Sequence, residues 1–190
     1  MANNCLYQMT IEGQKNNVEA FLQTLCADWP DENIIRAGTR QFYRVFSAEQ
    51  TQSNDIGDGK IVAHVVGDCA WSIEHSMCDK THNGPVHPVN GNDEMPDITI
   101  VNLESETKTD NVRIEVYAKE PGNGFQEHYV IENGETIVSE TCEYHEYYWD
   151  GDEETFDEFK EFFDLPNEIT EEDLTEGTYS TGGFDIEWEI

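Results

Sequence analysis

The most regular alternation of apolar and polar positions lies at Asn4 to Glu12, where Cys5, Tyr7, Met9 and Ile11 interleave with Leu6, Gln8 and Thr10 before Gly13. A period of two predicts a half-buried strand. The spacing then changes: Val18, Phe21, Leu22 and Leu25 fall on one helical face, Asn16 or Asn17 can cap its first turn, and Trp29-Pro30-Asp31 ends it. Arg40 to Phe46 and Lys60 to Val66 predict two more strands, with a polar Gly/Asp/Ser/Asn-rich loop at Ser53 to Gly59. Asp68 to Ile73 has no clear period and can continue as a short helix through Met77, and Lys80 to Pro96 reads as a long irregular loop with three prolines. A weak helix is expected from about Thr99 to Asp110, although Ile98 to Val101 fits the start of a strand equally well. Val112, Ile114, Val116 and Ala118 then alternate as another strand.

Beyond the turn Glu120 to Gly124, the segments Phe125 to Glu132 and Glu135 to Cys142 flank Asn133-Gly134, a dipeptide suited to a two-residue hairpin that needs positive φ twice. Thr155 and Glu158 have capping-box spacing ahead of Phe159, Phe162 and Phe163, which predicts a helix from about Phe156 to Phe163. Thr170 and Asp173 suggest another helical turn, and Gly183 to Ile190 alternates as a final strand with Asp185, Glu187 and Glu189 outward.

The order strand, helix, strand, strand, helix, strand predicts an α+β fold, a ferredoxin-like βαββαβ sheet. An added hairpin at 125–142 completes a domain over 1–148, and an acidic helix and strand form an extension over 149–190. Three stretches also resemble the YubB-type ferredoxin-like domain family of plasmids and phages. They are Ala2 to Tyr7, Gly67 to Ser72, and Ile114 to Tyr117 leading into Glu120 to Tyr129. The resemblance covers roughly residues 1–148. It implies a ferredoxin-like domain on a mobile genetic element, without an iron–sulfur cluster and without an activity transferable residue by residue.

Charge alters this picture most. The 190 residues carry 41 acids and 10 bases, and from Glu120 onward there are 23 acids against Lys160 alone. That segment also holds many aromatic residues, so it predicts a folded acidic surface and not an acidic disordered tail. A net charge of −31 disfavours direct contact with nucleic acid or anionic membrane and favours a basic partner. The five cysteines are odd in number and scattered, which argues for a reducing compartment. Met1 to Cys5 has no basic or apolar signal region, and no apolar run reaches membrane-spanning length, so a cytoplasmic location is expected, and the family resemblance implies a bacterial host.

Signs of catalysis are sparse. There is no nucleophile elbow, P-loop or dinucleotide fingerprint. Cys142 and His128 form a cross-strand pair better read as structural. Cys69, His75, Cys78, His82 and His87 lie within nineteen residues, but their spacing matches no standard zinc pattern and reads as buried thiols and surface imidazoles. Asp150 to Glu154 lacks the arrangement of a calcium loop. No cofactor, metal or catalytic residue is therefore expected.

The expected role is that of a non-catalytic acidic inhibitor. Carboxylates two apart on a strand lie about 6.6 to 6.8 Å apart, so a rigid acidic array can stand in for the phosphates that Arg and Lys grip. The array favours a basic nucleic-acid-binding protein as partner, and the resemblance to a plasmid and phage family implies that this is a CRISPR effector or restriction nuclease, whose groove the array fills. The contact residues are Glu143, Glu146, Tyr147, Tyr148, Trp149, Asp150, Asp152, Glu153, Glu154, Asp157, Glu158, Glu161, Asp185, Glu187 and Glu189. The alternative is a non-inhibitory binding module that anchors through Tyr147, Tyr148 and Trp149 in an acidic rim.

Overall fold

The structure is a computed structural model that describes residues 4–25, 40–86, 98–149, 151, 155–175 and 179–188. Its frame is one curled antiparallel sheet of seven strands in the order β10-β9-β8-β7-β1-β4-β3. These are β1 (Asn4–Gln14), β3 (Val45–Gly57), β4 (Lys60–Ala70), β7 (Arg113–Glu120), β8 (Phe125–Glu132), β9 (Glu135–Tyr147) and β10 (Tyr179–Gly182). A second sheet joins β2 (Arg40–Phe42), β6 (Ile98–Val101) and β5 (Gly84–Val86), with β2 parallel and β5 antiparallel to β6.

Strand β1 is central because its pattern supports two ladders at once. Met9 faces Val65 on β4 and Val116 on β7, and Ile11 faces Ala63 and Ile114. These side chains are buried beneath α1 (Lys15–Leu25), which contributes Val18, Phe21 and Leu25. The Phe21 and Phe42 rings meet at 5.9 Å. Helix α2 (Leu103–Asp110) is started by a capping box in which Asn102 accepts from the Ser105 amide at 2.8 Å. It ends at Asn111 in the left-handed conformation (φ 53°), one of the few non-glycine residues suited to it. Buried Glu106 on α2 pairs with Arg40, which ties the small sheet to the core. Gly67 leaves room for the Tyr7 ring: a methyl group there would lie 2.5 Å from the Tyr7 hydroxyl, which donates to the Ser47 carbonyl at 2.9 Å.

This architecture corrects the expected fold class. The molecule is mostly β and is not a compact ferredoxin-like βαββαβ domain. Strand β8 pairs with β7 along its whole length, from Arg113 with Glu132 to Glu120 with Phe125, so the hairpin continues the main sheet instead of adding to it. β9 and β10 then extend the same sheet. Arg40 to Phe46 does not form one strand either: the chain turns at Tyr43-Arg44, where Arg44 has φ 51°, and passes from one sheet to the other. The polar stretch expected as a loop at Ser53 to Gly59 is mostly the end of β3. Its side chains are exposed while its backbone is held to the edge of β4, with three register shifts. An edge strand needs main-chain partners but no apolar face, so periodicity does not reveal it.

Around Asp68 to Met77, β4 runs on to Ala70 and is followed by a single π-helical turn at Glu74–Cys78. The expected final strand is also corrected. Gly182 and Gly183 both have positive φ (72° and 83°), which ends β10, and residues 183–188 follow as an irregular strap. The strap crosses the sheet face opposite the helices. The Phe184 amide donates to Gln126 Oε1 at 2.8 Å, Gln8 donates to the Glu187 carbonyl at 3.0 Å, and the Lys119 ammonium lies 5.0 Å from the Trp188 ring. Residues 87–97, which include most of the expected loop, lie outside the described residues.

Candidate functional site

The acidic surface is carried by β9, β10 and two short helices, α3 (Phe156–Phe162) and α4 (Glu171–Thr175). Both helices start as their sequences predict. Thr155 accepts from the Glu158 amide, and Glu158 accepts the Thr155 amide at 3.0 Å and hydroxyl at 2.8 Å. Thr170 and Asp173 repeat the arrangement, with the Thr170 amide donating to Asp173 at 2.8 Å. These bonds, made to the charged form, hold both carboxyl groups below their ordinary range.

Beneath the helices lies a small aromatic cluster separate from the main core. Phe159 and Leu174 are buried, Phe163 packs on Phe159 at 4.8 Å and on Tyr147 at 5.7 Å, and Tyr147 also meets Tyr179 at 5.7 Å. The Trp149 ring lies 5.4 Å from Phe156, and its backbone amide donates to the Leu174 carbonyl at 3.3 Å. Trp149 is thus a partly buried structural residue. The exposed aromatic residues here are Tyr148 (63%), Phe162 (77%) and Phe163 (42%).

The carboxylates fall into three settings. Asp157, Glu158 and Glu161 are exposed along α3, and Asp185 and Glu187 are exposed on the strap between the partly covered Phe184, Ile186 and Trp188. Glu143 is exposed, with His145 at 3.1 Å. Glu146 is already engaged, taking the Lys119 ammonium at 2.6 Å and the Tyr144 hydroxyl. Asp150, Asp152, Glu153, Glu154 and Glu189 lie outside the described residues. Lys160, the one base after Glu120, donates to the carbonyls of Asn167 (3.2 Å) and Ile169 (3.3 Å). It therefore closes the loop after α3 through its backbone.

Periodicity does not reveal the cluster under the strap. His128 stacks on Tyr117 at 4.1 Å with nearly parallel rings, while its nitrogens lie 3.1 Å from Glu115 and 3.5 Å from Glu140. Phe184 closes on both rings edge-first. Burial and the neighbouring Glu115 carboxylate push the Tyr117 hydroxyl above its ordinary pKa. The strand register places Glu140 opposite His128 and Gln126 opposite Cys142, so His128 and Cys142 are not direct cross-strand partners. Alternation along Ile114 to Ala118 already put Glu115 and Tyr117 on one face; the β7–β8 register adds His128.

The candidate metal residues are also separated. Cys69 is buried opposite Cys5 in the β1–β4 ladder, with both thiols free, and its sulfur lies 3.7 Å from the Ser72 carbonyl. His87 lies outside the described residues, whereas His75 and His82 remain close, with ring centroids 5.3 Å apart. Among the described residues no helix is long and apolar enough to cross a membrane. The chain matches no protein-family model, and no curated protein or solved structure is significantly similar to it.

Proposed function

We propose that the protein is an acidic ligand for a basic protein surface, and that it acts by occupying a nucleic-acid-binding groove and not by catalysis. The observation that carries this reading is the charge imbalance of the sequence from Glu120 onward. It has 23 acids against one base, and that base is bonded to backbone carbonyls. The carboxylates of α3 and of the strap thus face solvent on ordered backbone, the arrangement needed to compete with phosphates for Arg and Lys. The sequence resemblance to the YubB-type family supports an origin on a plasmid or phage and action in the cytoplasm of a bacterial host. The target that fits both is a defence nuclease, and the protein is then an anti-CRISPR or anti-restriction inhibitor.

The test is a DNA-cleavage assay with purified CRISPR effectors and restriction nucleases, with and without the protein. Inhibition should be relieved by excess duplex DNA and should weaken steeply as salt rises past about 0.1 M, where the screening length falls to about 10 Å. Combined reversal of Asp157, Glu161, Asp185 and Glu187 to lysine should abolish it. Inhibition that survives that reversal sinks the reading. The exposed Tyr148, Phe162 and Phe163 favour a second one, an aromatic-anchored binding module without inhibitory action. In that case Phe162→Ala abolishes partner binding and salt has little effect.

A further inference from the structure

We infer that His75, Asp79 and His82 form a binding site for one divalent transition-metal ion of the zinc type. The inference is independent of the acidic surface. One ligand atom from each residue comes within 4.8 Å of the other two, and His82 Nε2 lies 3.9 Å from Asp79 Oδ2. All three belong to the short segment that follows β4: His75 lies in the π-helical turn at Glu74–Cys78, Asp79 follows it directly, and His82 is three residues further on.

The surroundings orient the three groups. The Asp79 carboxylate accepts the Thr81 amide at 2.7 Å and the Thr81 hydroxyl at 2.8 Å, which fixes its direction as an outer-shell partner does for a metal ligand. The His82 ring is stacked on Tyr43 at 3.9 Å, and the His75 ring is held edge-on by Tyr43 at 5.8 Å and Trp71 at 4.6 Å. His75 Nε2 is buried and has no hydrogen-bond partner among the described residues. A buried imidazole nitrogen ordinarily has one, so the unpaired nitrogen itself suggests a missing ligand.

Charge and space agree with an ion. Two of the three ligands, His75 and Asp79, line an open cavity together with Ser72, Glu74 and Cys78. Lys80, the nearest base in sequence, turns to Glu104, and Arg44 lies against the Trp71 and Tyr43 rings. Zinc holds nitrogen and oxygen ligands at about 2.0 to 2.2 Å, so tetrahedral ligand atoms sit about 3.3 to 3.6 Å apart. A pair at the 4.8 Å limit needs to contract by about 1.2 to 1.5 Å, within reach of side-chain rotation in one short segment. Two imidazoles and one carboxylate favour zinc, cobalt, nickel or ferrous iron over the oxygen-seeking magnesium and calcium. Three protein ligands leave a position for water, and the side chains of His82 (32% exposed) and Asp79 (29%) leave it accessible.

The experiment is calorimetric titration of the full chain with Zn²⁺ after chelator treatment, in excess Mg²⁺ to occupy surface carboxylates, with a parallel Co²⁺ titration read by absorption. One equivalent of Zn²⁺ should bind. Co²⁺ should give visible ligand-field bands without the strong near-ultraviolet band of a thiolate ligand. His82→Ala and Asp79→Asn, with circular dichroism confirming their fold, should each weaken binding at least tenfold. Absence of a zinc-binding equivalent, binding unchanged in both variants, or a thiolate band assigning Cys78 as ligand would each overturn the inference.

Discussion

Strands β1 and β9 are the same kind of element, 11 and 13 residues of antiparallel strand, but they bury different amounts of themselves. Alternate residues of β1 from Cys5 to Ile11 are essentially inaccessible to solvent, packed beneath α1 and between two long ladders. Along β9 only Tyr144 is buried, and Ile137 is 60% exposed. The difference is in what each strand has to cover. Apolar side chains at a period of two draw helices onto β1, whereas β9 mixes Glu135, Glu140, Glu143 and Glu146 with Thr, Ser and a mostly exposed Ile137, so it has no apolar face and is held chiefly by backbone bonds and by the aromatic cluster at its end. One part of the molecule supplies stability, and the other supplies charged surface on a small separate core.

Truncation of one phenylalanine on each side tests that division most strongly. Phe21→Ala removes a fully buried ring from the main core and should destabilise the whole protein by about 3 to 5 kcal/mol, read as a lower denaturation midpoint. Phe159→Ala should cost less, about 2 to 3 kcal/mol, because its site lies at the margin of a small cluster. Its loss of amide protection should be confined to 147–149, 155–175 and 179–182. Equal loss of protection in β1 would show that the two parts unfold as one.

The carboxyl groups should sharpen the contrast through pH. Glu127 is buried on β8 and accepts the Ile73 amide at 2.7 Å; burial pushes its pKa from 4.5 up to about 7. Between those values the folded protein binds more protons than the unfolded chain. The contribution of Glu127 to stability should therefore be most favourable below 4.5, fall as pH rises to about 7, and stay reduced above it. Glu127→Gln should flatten that slope and raise stability at pH 8 by up to about 3 kcal/mol, as measured by urea denaturation across pH. Glu158 and Asp173 carry the opposite sign, since their contribution is lost as pH falls through their lowered values. Both are exposed, so it is small.

The smallest expected effects come from one capping motif used twice. Asn102 is buried and starts α2 in the core, so Asn102→Ala should cost about 2 kcal/mol globally. Thr155 is exposed and starts α3, so Thr155→Ala should cost about 0.5 to 1 kcal/mol and act locally. Comparable losses from the two would remove the distinction between the regions.

Much of this was legible where the signal is short in range. Asn133-Gly134 predicts the tight turn, and both residues have positive φ (52° and 83°). The spacings of Thr155 with Glu158 and of Thr170 with Asp173 predict helix starts that form as expected. Polar β3 was not legible, because its ladder is made by backbone groups facing β4. The Gly183 to Ile190 alternation misled for the opposite reason: the side chains of 184–188 do alternate between covered and exposed, but Gly182 and Gly183 take the chain off the sheet edge and across a face.

The sequence by itself determined the periodic strand β1, the hairpin turn, the helix caps and the excess of acid over base, since each depends on residues a few positions apart or on composition alone. The tertiary structure decided that the hairpin continues one seven-stranded sheet, that Lys160 meets carbonyls, that Glu146 is paired while Asp157 and Glu187 are free in solvent, and that Tyr43 walls in two histidines more than thirty residues away. Strand partners and side-chain surroundings are set by hydrogen bonds and contacts between distant segments. Such pairings form only when the whole chain has closed, and no local pattern in this sequence records them.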